Sequence, residues 1–216
     1  MTPRERRAAR ELHEYLVRLY GPEAEISMEA LPSRPQHPDR VEIEATVVTP
    51  PPPPDPDAPP KRRDAPGRAD IVVEIAERYV AVRSARYALN GGLIPVTCDE
   101  VTAGLARDFP ALFPEGTVEI DVAWQELTRA AAETLAGHQV LDGVVSTQVK
   151  QKFGELRWYT GGMPDGREAE VNAILDSASH LSSVICEACG SPGRIRTGGW
   201  TRILCDRCAE ARRKKR

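Results

Sequence analysis

At 216 residues the chain has room for one large domain or two to three small ones. Its 41% hydrophobic content supports cores of modest size, and a formal charge of −3 excludes a polyanion binder along its whole length. The charge is uneven, however. From Arg194 to Arg216 nine Lys and Arg face only Asp206 and Glu210, a local +7, which leaves about −10 on everything before it.

The chain opens on Thr2-Pro3-Arg4-Glu5, which has the form of a helix capping box with proline at the first helical position. Ala9, Leu12, Leu16 and Leu19 follow at helical spacing with Tyr15 on the flank, and Gly21-Pro22 stops the helix. Glu25 to Met28 and the strictly alternating Val41 to Val47 read as strands on either side of a polar loop. This helix–strand–strand segment, residues 1–48, is small for independent stability and is expected to dock on the central part of the chain. Residues 49–68 contain the run Pro50 to Pro54 and further prolines, then Lys61-Arg62-Arg63. They read as an extended, semi-rigid spacer of polyproline II type, with a docking motif for a polyproline-binding domain as the alternative.

Residues 69–184 read as a mainly helical α+β central domain with a β-hairpin. Asp70 can cap a first helix with the stripe Val72, Ile75, Tyr79, Val82 and Leu89, ended by Asn90-Gly91-Gly92. Thr97-Cys98-Asp99-Glu100 is a second capping box, opening a helix to about Asp108. A helix–turn–helix reading of this pair is disfavoured by the long connection and the acidic second helix. A further helix from about Asp121 to Ala136 carries Trp124, Leu127, Ala131 and Leu135 on one side. Val144 to Tyr159 alternates around Gly154-Glu155, which predicts a hairpin with a II′ turn. Val149, Phe153, Leu156 and Trp158 would then share one face, and Lys150, Lys152, Arg157 and Tyr159 the other. Three cations and a tyrosine on one face suit phosphates and a stacked base, or a plain solvated surface. Arg167 to Val184 is the last long helix, with the stripe Val171, Ile174, Leu175, Ala178 and Leu181.

Residues 185–210 carry two CxxC pairs, Cys186/Cys189 and Cys205/Cys208, with fifteen residues between them. Each CxxC turn offers two sulfurs to one side of a tetrahedral ion, so the spacing predicts one Zn2+ in a zinc ribbon or treble-clef knuckle. Four cysteines fill the shell, so the zinc is expected to be structural, and losing one ligand to unfold roughly the last thirty residues while the rest stays helical. Two disulfides would need an oxidising compartment. The start of the chain has no apolar signal region and no stretch approaches a membrane span, so a cytoplasmic setting with reduced thiols is expected. Cys98 reads as a small buried or capping residue, and His180 as a surface or packing residue rather than a ligand. Arg194-Ile195-Arg196 and Trp200 to Leu204 read as two short strands, with Trp200 covering the metal or the last helix. A basic tail, 211–216, closes the chain.

Two stretches carry a resemblance. Gln148-Val149-Lys150-Gln151-Lys152-Phe153-Gly154-Glu155-Leu156-Arg157-Trp158-Tyr159 resembles the QVKxKFGxLRFY stretch of a family of uncharacterised phage and bacterial proteins. Cys186, Glu187, Cys189, Gly190, Pro192, Gly193, Gly199, Trp200, Leu204, Cys205, Asp206 and Cys208 match the zinc knuckle that comes after it in that family. The resemblance spans about Val144 to Cys208. It implies a phage-like, zinc-bearing C-terminal module and implies no activity.

Three functional classes compete for these features. The first is a nucleic-acid-binding accessory protein that contacts DNA or RNA through Lys150, Lys152, Arg157, Tyr159, Arg194, Arg196, Arg202 and the tail. That reading joins the hairpin and ribbon cations into one positive surface. The second is a protein–protein adaptor or phage-type modulator of a host factor, with the zinc purely structural. An enzyme is the third, and it finds no support in a GxSxG, P-loop or HExxH motif. No catalytic residue, small-molecule substrate or membrane partner is assigned.

Overall fold

The computed structural model describes residues 1–48, 69–114, 117–197 and 199–214. The proline-rich spacer and the last two residues of the basic tail lie outside them. The fold is mixed α+β, with six helices and three small sheets among the described residues.

Helix α1 (Pro3–Tyr20) begins at the expected capping box, in which the Glu5 amide donates to Thr2 Oγ1 at 3.2 Å and the Thr2 amide to Glu5 Oε2 at 2.8 Å. Gly21, at φ 90°, ends it. Its buried face is Ala8, Leu12, Tyr15, Leu16 and Tyr20, rotated slightly from the stripe read in the sequence. Both tyrosines turn inward because each hydroxyl finds a carbonyl, Gly190 for Tyr15 and Ala69 for Tyr20. Strands β1 (Ile26–Leu31) and β2 (Glu42–Val47) pair antiparallel, and β2 buries Ile43 and Ala45.

Helix α2 (Ala69–Ser84) is the centre of the molecule, touched by α1, β2 and two later helices. It is buried on nearly every side, so its apolar residues form no single stripe. The helix stops at Ser84, earlier than predicted, and Leu89 is exposed. Asn90-Gly91-Gly92 instead closes a separate tight loop, in which the Ala88 amide donates to the Gly92 carbonyl at 2.8 Å.

Arg83 is fully buried near the end of α2. Its Nε donates to Glu11 Oε2 at 2.8 Å, and Glu126 Oε2 lies 3.6 Å from its Nη1. Burial raises the pKa of Glu11, but the Arg83 charge and hydrogen bond outweigh it and the net shift is downward. This ion cluster ties α1 and α2 to helix α4 (Val122–Gly137).

Helix α3 (Cys98–Asp108) starts at the second capping box, as predicted. Helix α4 buries Trp124, Leu127, Ala131 and Leu135, and α5 (Glu168–Ser182) buries all five residues of its predicted stripe. Alongside them β3 (Val118–Glu119), β4 (Val145–Lys152) and β5 (Glu155–Gly162) form a sheet in the order β3-β4-β5, with β3 parallel to β4. The β4–β5 turn lies one residue earlier than predicted. Lys152 pairs with Glu155, and Phe153 and Gly154 both take positive φ, 56° and 78°, the signature of a I′ turn. Phe153 therefore leaves the apolar face and is exposed in the turn, while Gln151 joins Val149, Leu156 and Trp158 on the inner side. One hydrophobic core runs from Ala8 in α1 to Ile203 near the C-terminus.

Glu77, on α2 under the β1–β2 hairpin, accepts the Ala45 amide at 2.6 Å. Burial pushes its carboxyl up to about 7, with Glu44 and Glu74 adding to the rise. The folded state thus holds this proton more tightly than the unfolded chain. Its contribution is complete below about pH 4.5 and is lost as pH rises through 7. Glu77→Gln is expected to flatten this loss, stabilising the protein at pH 8 relative to the parent by on the order of 2 kcal/mol and changing little at pH 4.5. Urea midpoints of both proteins at the two pH values check it, and an equal offset at both would contradict it.

Candidate metal centre

The chain leaves α5 and enters a tight turn carrying the first cysteine pair. The Cys186 amide donates to the Ser191 carbonyl at 2.9 Å, and the Gly190 amide to the Cys186 carbonyl at 2.8 Å. Gly190 sits at φ 72°, which only glycine adopts without strain. Strands β6 (Arg194–Arg196) and β7 (Arg202–Leu204) pair as the predicted hairpin. Helix α6 (Asp206–Arg213) then begins at the second pair, an element that the sequence pattern does not predict. Cys205 is its N-cap, and the Cys208 amide donates to Cys205 Sγ at 3.4 Å. Turn, hairpin and helix together bring the two cysteine pairs side by side.

The Sγ atoms of Cys186, Cys189, Cys205 and Cys208 all lie within 4.8 Å of one another, and Cys189 and Cys205 approach to 3.6 Å. A tetrahedron with metal–sulfur bonds of about 2.3 Å has edges of about 3.8 Å, so the cluster is compatible with a zinc site. Hydrogen bonds from Cys186 and Ser191 hold the Cys189 thiol well below its ordinary range, whereas Cys186, which shares its proton, is raised. Arg207 lies against the Cys189 sulfur. Cys98 stands outside the cluster, its Sγ 4.0 Å from the Ile120 carbonyl, and His180 is exposed on α5.

The knuckle is built into the core. Cys186 and Ile185 are fully buried, and Trp124 Nε1 donates to the Ile185 carbonyl at 3.0 Å. The Tyr15 hydroxyl donates to the Gly190 carbonyl, and Gly190 packs on Arg83 and Tyr79. Glu187, buried beside Cys186, accepts from Arg202 at 2.6 Å, and Arg202 also reaches Asp121 at 3.1 Å.

The predicted cationic residues divide into two groups. Lys150, Lys152, Arg157 and Tyr159 do share one face of β4–β5, and Lys150 Nζ stands 5.2 Å from the Tyr159 ring centre. Glu119 pairs in register beside Lys150, and Glu155 forms an ion pair with Arg157, so three cations share that face with two carboxylates. The C-terminal module meets this hairpin on the opposite side, where Gln151 Nε2 donates to the Thr201 carbonyl at 2.6 Å. The two cationic sets are therefore not one surface, as the alternation of β4 puts Gln151 and its lysine neighbours on different faces.

On the module itself, Arg194 and Arg196 both pair with Asp206. Trp200 covers neither metal nor helix: it is 67% exposed, and its Nε1 donates to Gln151 Oε1 at 2.8 Å. The indole reaches across to β4, so its ring stays outside the core. It lines a groove of about 520 Å³ with Ile195, Arg196, Arg202, Arg212 and Arg213. Arg212 and Arg213 form no ion pair among the described residues. Sequence reasoning misses this groove. The one signal for it is a tryptophan with no assigned core position, set between strands rich in arginine.

No helix among the described residues is long and apolar enough to cross a membrane. No protein-family model, curated protein or solved structure matches the chain, and of the family resemblance the finding that stands is the cysteine cluster.

Proposed function

We propose that the chain is a nucleic-acid-binding accessory protein whose C-terminal module is organised by one structural Zn2+. Cys186, Cys189, Cys205 and Cys208 would hold the ion, and four thiolates leave no position for a reacting water. A Zn2+ with four thiolates carries net −2. Arg207, against Cys189, is placed to offset part of that charge.

The observation that carries the nucleic-acid reading is the groove, where an exposed Trp200 stands beside the unpaired cations Arg212 and Arg213. Phosphates release counterions when such cations meet them, which gives affinity that falls steeply with salt. The hairpin residues Lys150, Lys152, Arg157 and Tyr159 form a separate, weaker contact, since Glu119 and Glu155 offset their charge. Replacing Arg212 and Arg213 together with Ala is expected to reduce the slope of log affinity against log salt by about 1.5 to 2. Replacing Lys150 and Lys152 should change it by less. Both are read from anisotropy titrations between about 50 and 200 mM salt.

A second reading, a protein–protein adaptor, is favoured by the ion pairs that already engage Arg157, Arg194, Arg196 and Arg202. Failure of the parent protein to bind any DNA or RNA at about 50 mM salt would leave the adaptor as the better description.

A further inference from the structure

We propose that the groove of the C-terminal module takes an unpaired nucleobase, so that the ligand is single-stranded, with Trp200 as the stacking platform and Arg212 and Arg213 on the flanking phosphates. This rests on the nucleic-acid reading and specifies it. The chain has three tryptophans. Two are buried, Trp124 at 0% and Trp158 at 5%, and the third is left 67% exposed. An indole offers roughly 150–250 Å² of largely apolar surface, and leaving it in water forfeits stability unless something else covers it. Trp200 is also not loose. Its hydrogen bond to Gln151 anchors the indole edge to β4, which fixes the ring before a ligand arrives and lowers the ordering cost of binding.

The surroundings fit a nucleotide. Ile195, 59% exposed, gives a second apolar wall, and the groove is of a size that holds small ligands, about 300–1,000 Å³. Charge complementarity points to phosphate. Arg196 and Arg202 are held by Asp206, Asp121 and Glu187, so the cations outside ion pairs lie on the α6 side of the groove, at Arg213 and at Arg212, whose charge is felt in part by Glu187. A ring platform on one side and exposed guanidinium groups on the other is the pairing that single-strand binders use, base on aromatic and backbone on cation. A duplex cannot use it. Its bases are stacked on both faces, and presenting one to Trp200 would require unstacking and unpairing it.

Tryptophan emission tests this, because Trp200 is the exposed one of the three. A single-stranded oligonucleotide of mixed sequence, the same sequence as a duplex, and an oligoglutamate peptide of equal charge are titrated into zinc-loaded full-length protein at about 50 mM salt. The single strand is expected to quench the emission and to bind at least about 10-fold tighter than the duplex. Trp200→Ala should weaken single-strand binding about 5- to 100-fold, and Trp200→Phe should restore most of it, with zinc content and helicity unchanged in both. Equal binding of duplex and single strand, with no effect of Trp200→Ala, would overturn the stacking site while leaving nucleic-acid binding in place. Equal quenching by oligoglutamate would overturn it in favour of an acidic peptide. Binding of neither nucleic acid would remove both this inference and the reading beneath it.

Discussion

Removing the metal with a strong chelator is expected to lower the melting temperature of the whole chain by at least about 10 °C and to keep the transition single. Structural zinc contributes on the order of 10 kcal/mol in small finger domains, and a chain of this length shifts by about 2–4 °C per kcal/mol. Even a fraction of that binding energy is then visible. The sequence alone suggests that roughly the last thirty residues would unfold by themselves. The structure changes that expectation, because the knuckle is held by other elements of the fold. Tyr15 of α1 bonds to Gly190, Trp124 of α4 bonds to Ile185, and the Ala123 amide reaches the Glu187 carbonyl at 3.3 Å. Ile203 of β7 belongs to the common core. Cys205→Ser should reproduce the effect without chelator. Calorimetry resolving two transitions, the upper one unmoved by metal removal, would show that the module melts independently.

Gly190→Ala is expected to cost about 2–5 kcal/mol, because it adds a methyl group at positive φ against a filled core. Two terms add. A Cβ in the left-handed region costs about 1–2 kcal/mol, and overpacking a filled core costs about 1–3 kcal/mol. At Gly190 the new Cβ would meet Arg83 Cζ at 2.6 Å and Tyr79 Oη at 2.5 Å, both on a side of α2 that has no room to yield. Gly166 is the control. Its φ is also 72°, but nothing lies within 4 Å of its Cβ position, so Gly166→Ala should cost only the backbone term. Denaturant midpoints of the two variants measure the difference, and equal destabilisation would mean that the Arg83 contact carries no packing constraint. Gly190→Ala should also weaken zinc retention, since the displaced residue comes directly after Cys189.

What is legible in the sequence is whatever depends on local pattern. The two capping boxes, Thr2/Glu5 and Thr97/Glu100, are local hydrogen-bond motifs and form at the positions their residues predict. The stripe of α5 is legible because one face meets the core and the other meets water. Helix α2 blurs that pattern by being buried all round, so its end cannot be set by counting apolar residues past Ser84 to Leu89. The β4–β5 turn shifts by one residue from its predicted place because glycine serves either position of a tight turn. Only the Lys152–Glu155 register distinguishes them, and it is a tertiary fact. The CxxC spacing announces the cysteine cluster, since ligand spacing is a covalent constraint. Helix α6 is hidden because its first turn coincides with the second CxxC and its remainder reads as a charged tail. The buried cluster of Glu11, Arg83 and Glu126 is the least legible. Charged residues on helices are read as solvent-facing, and only the packed partners reveal that they pair inside.

X-ray absorption at the zinc edge, on protein purified without added metal and with zinc quantified per chain, bears most directly on the metal centre proposed for the cysteine cluster. One zinc per chain with four sulfur neighbours at about 2.3 Å is the expected result. Substoichiometric metal, or a shell containing nitrogen or oxygen, would contradict a site made of Cys186, Cys189, Cys205 and Cys208.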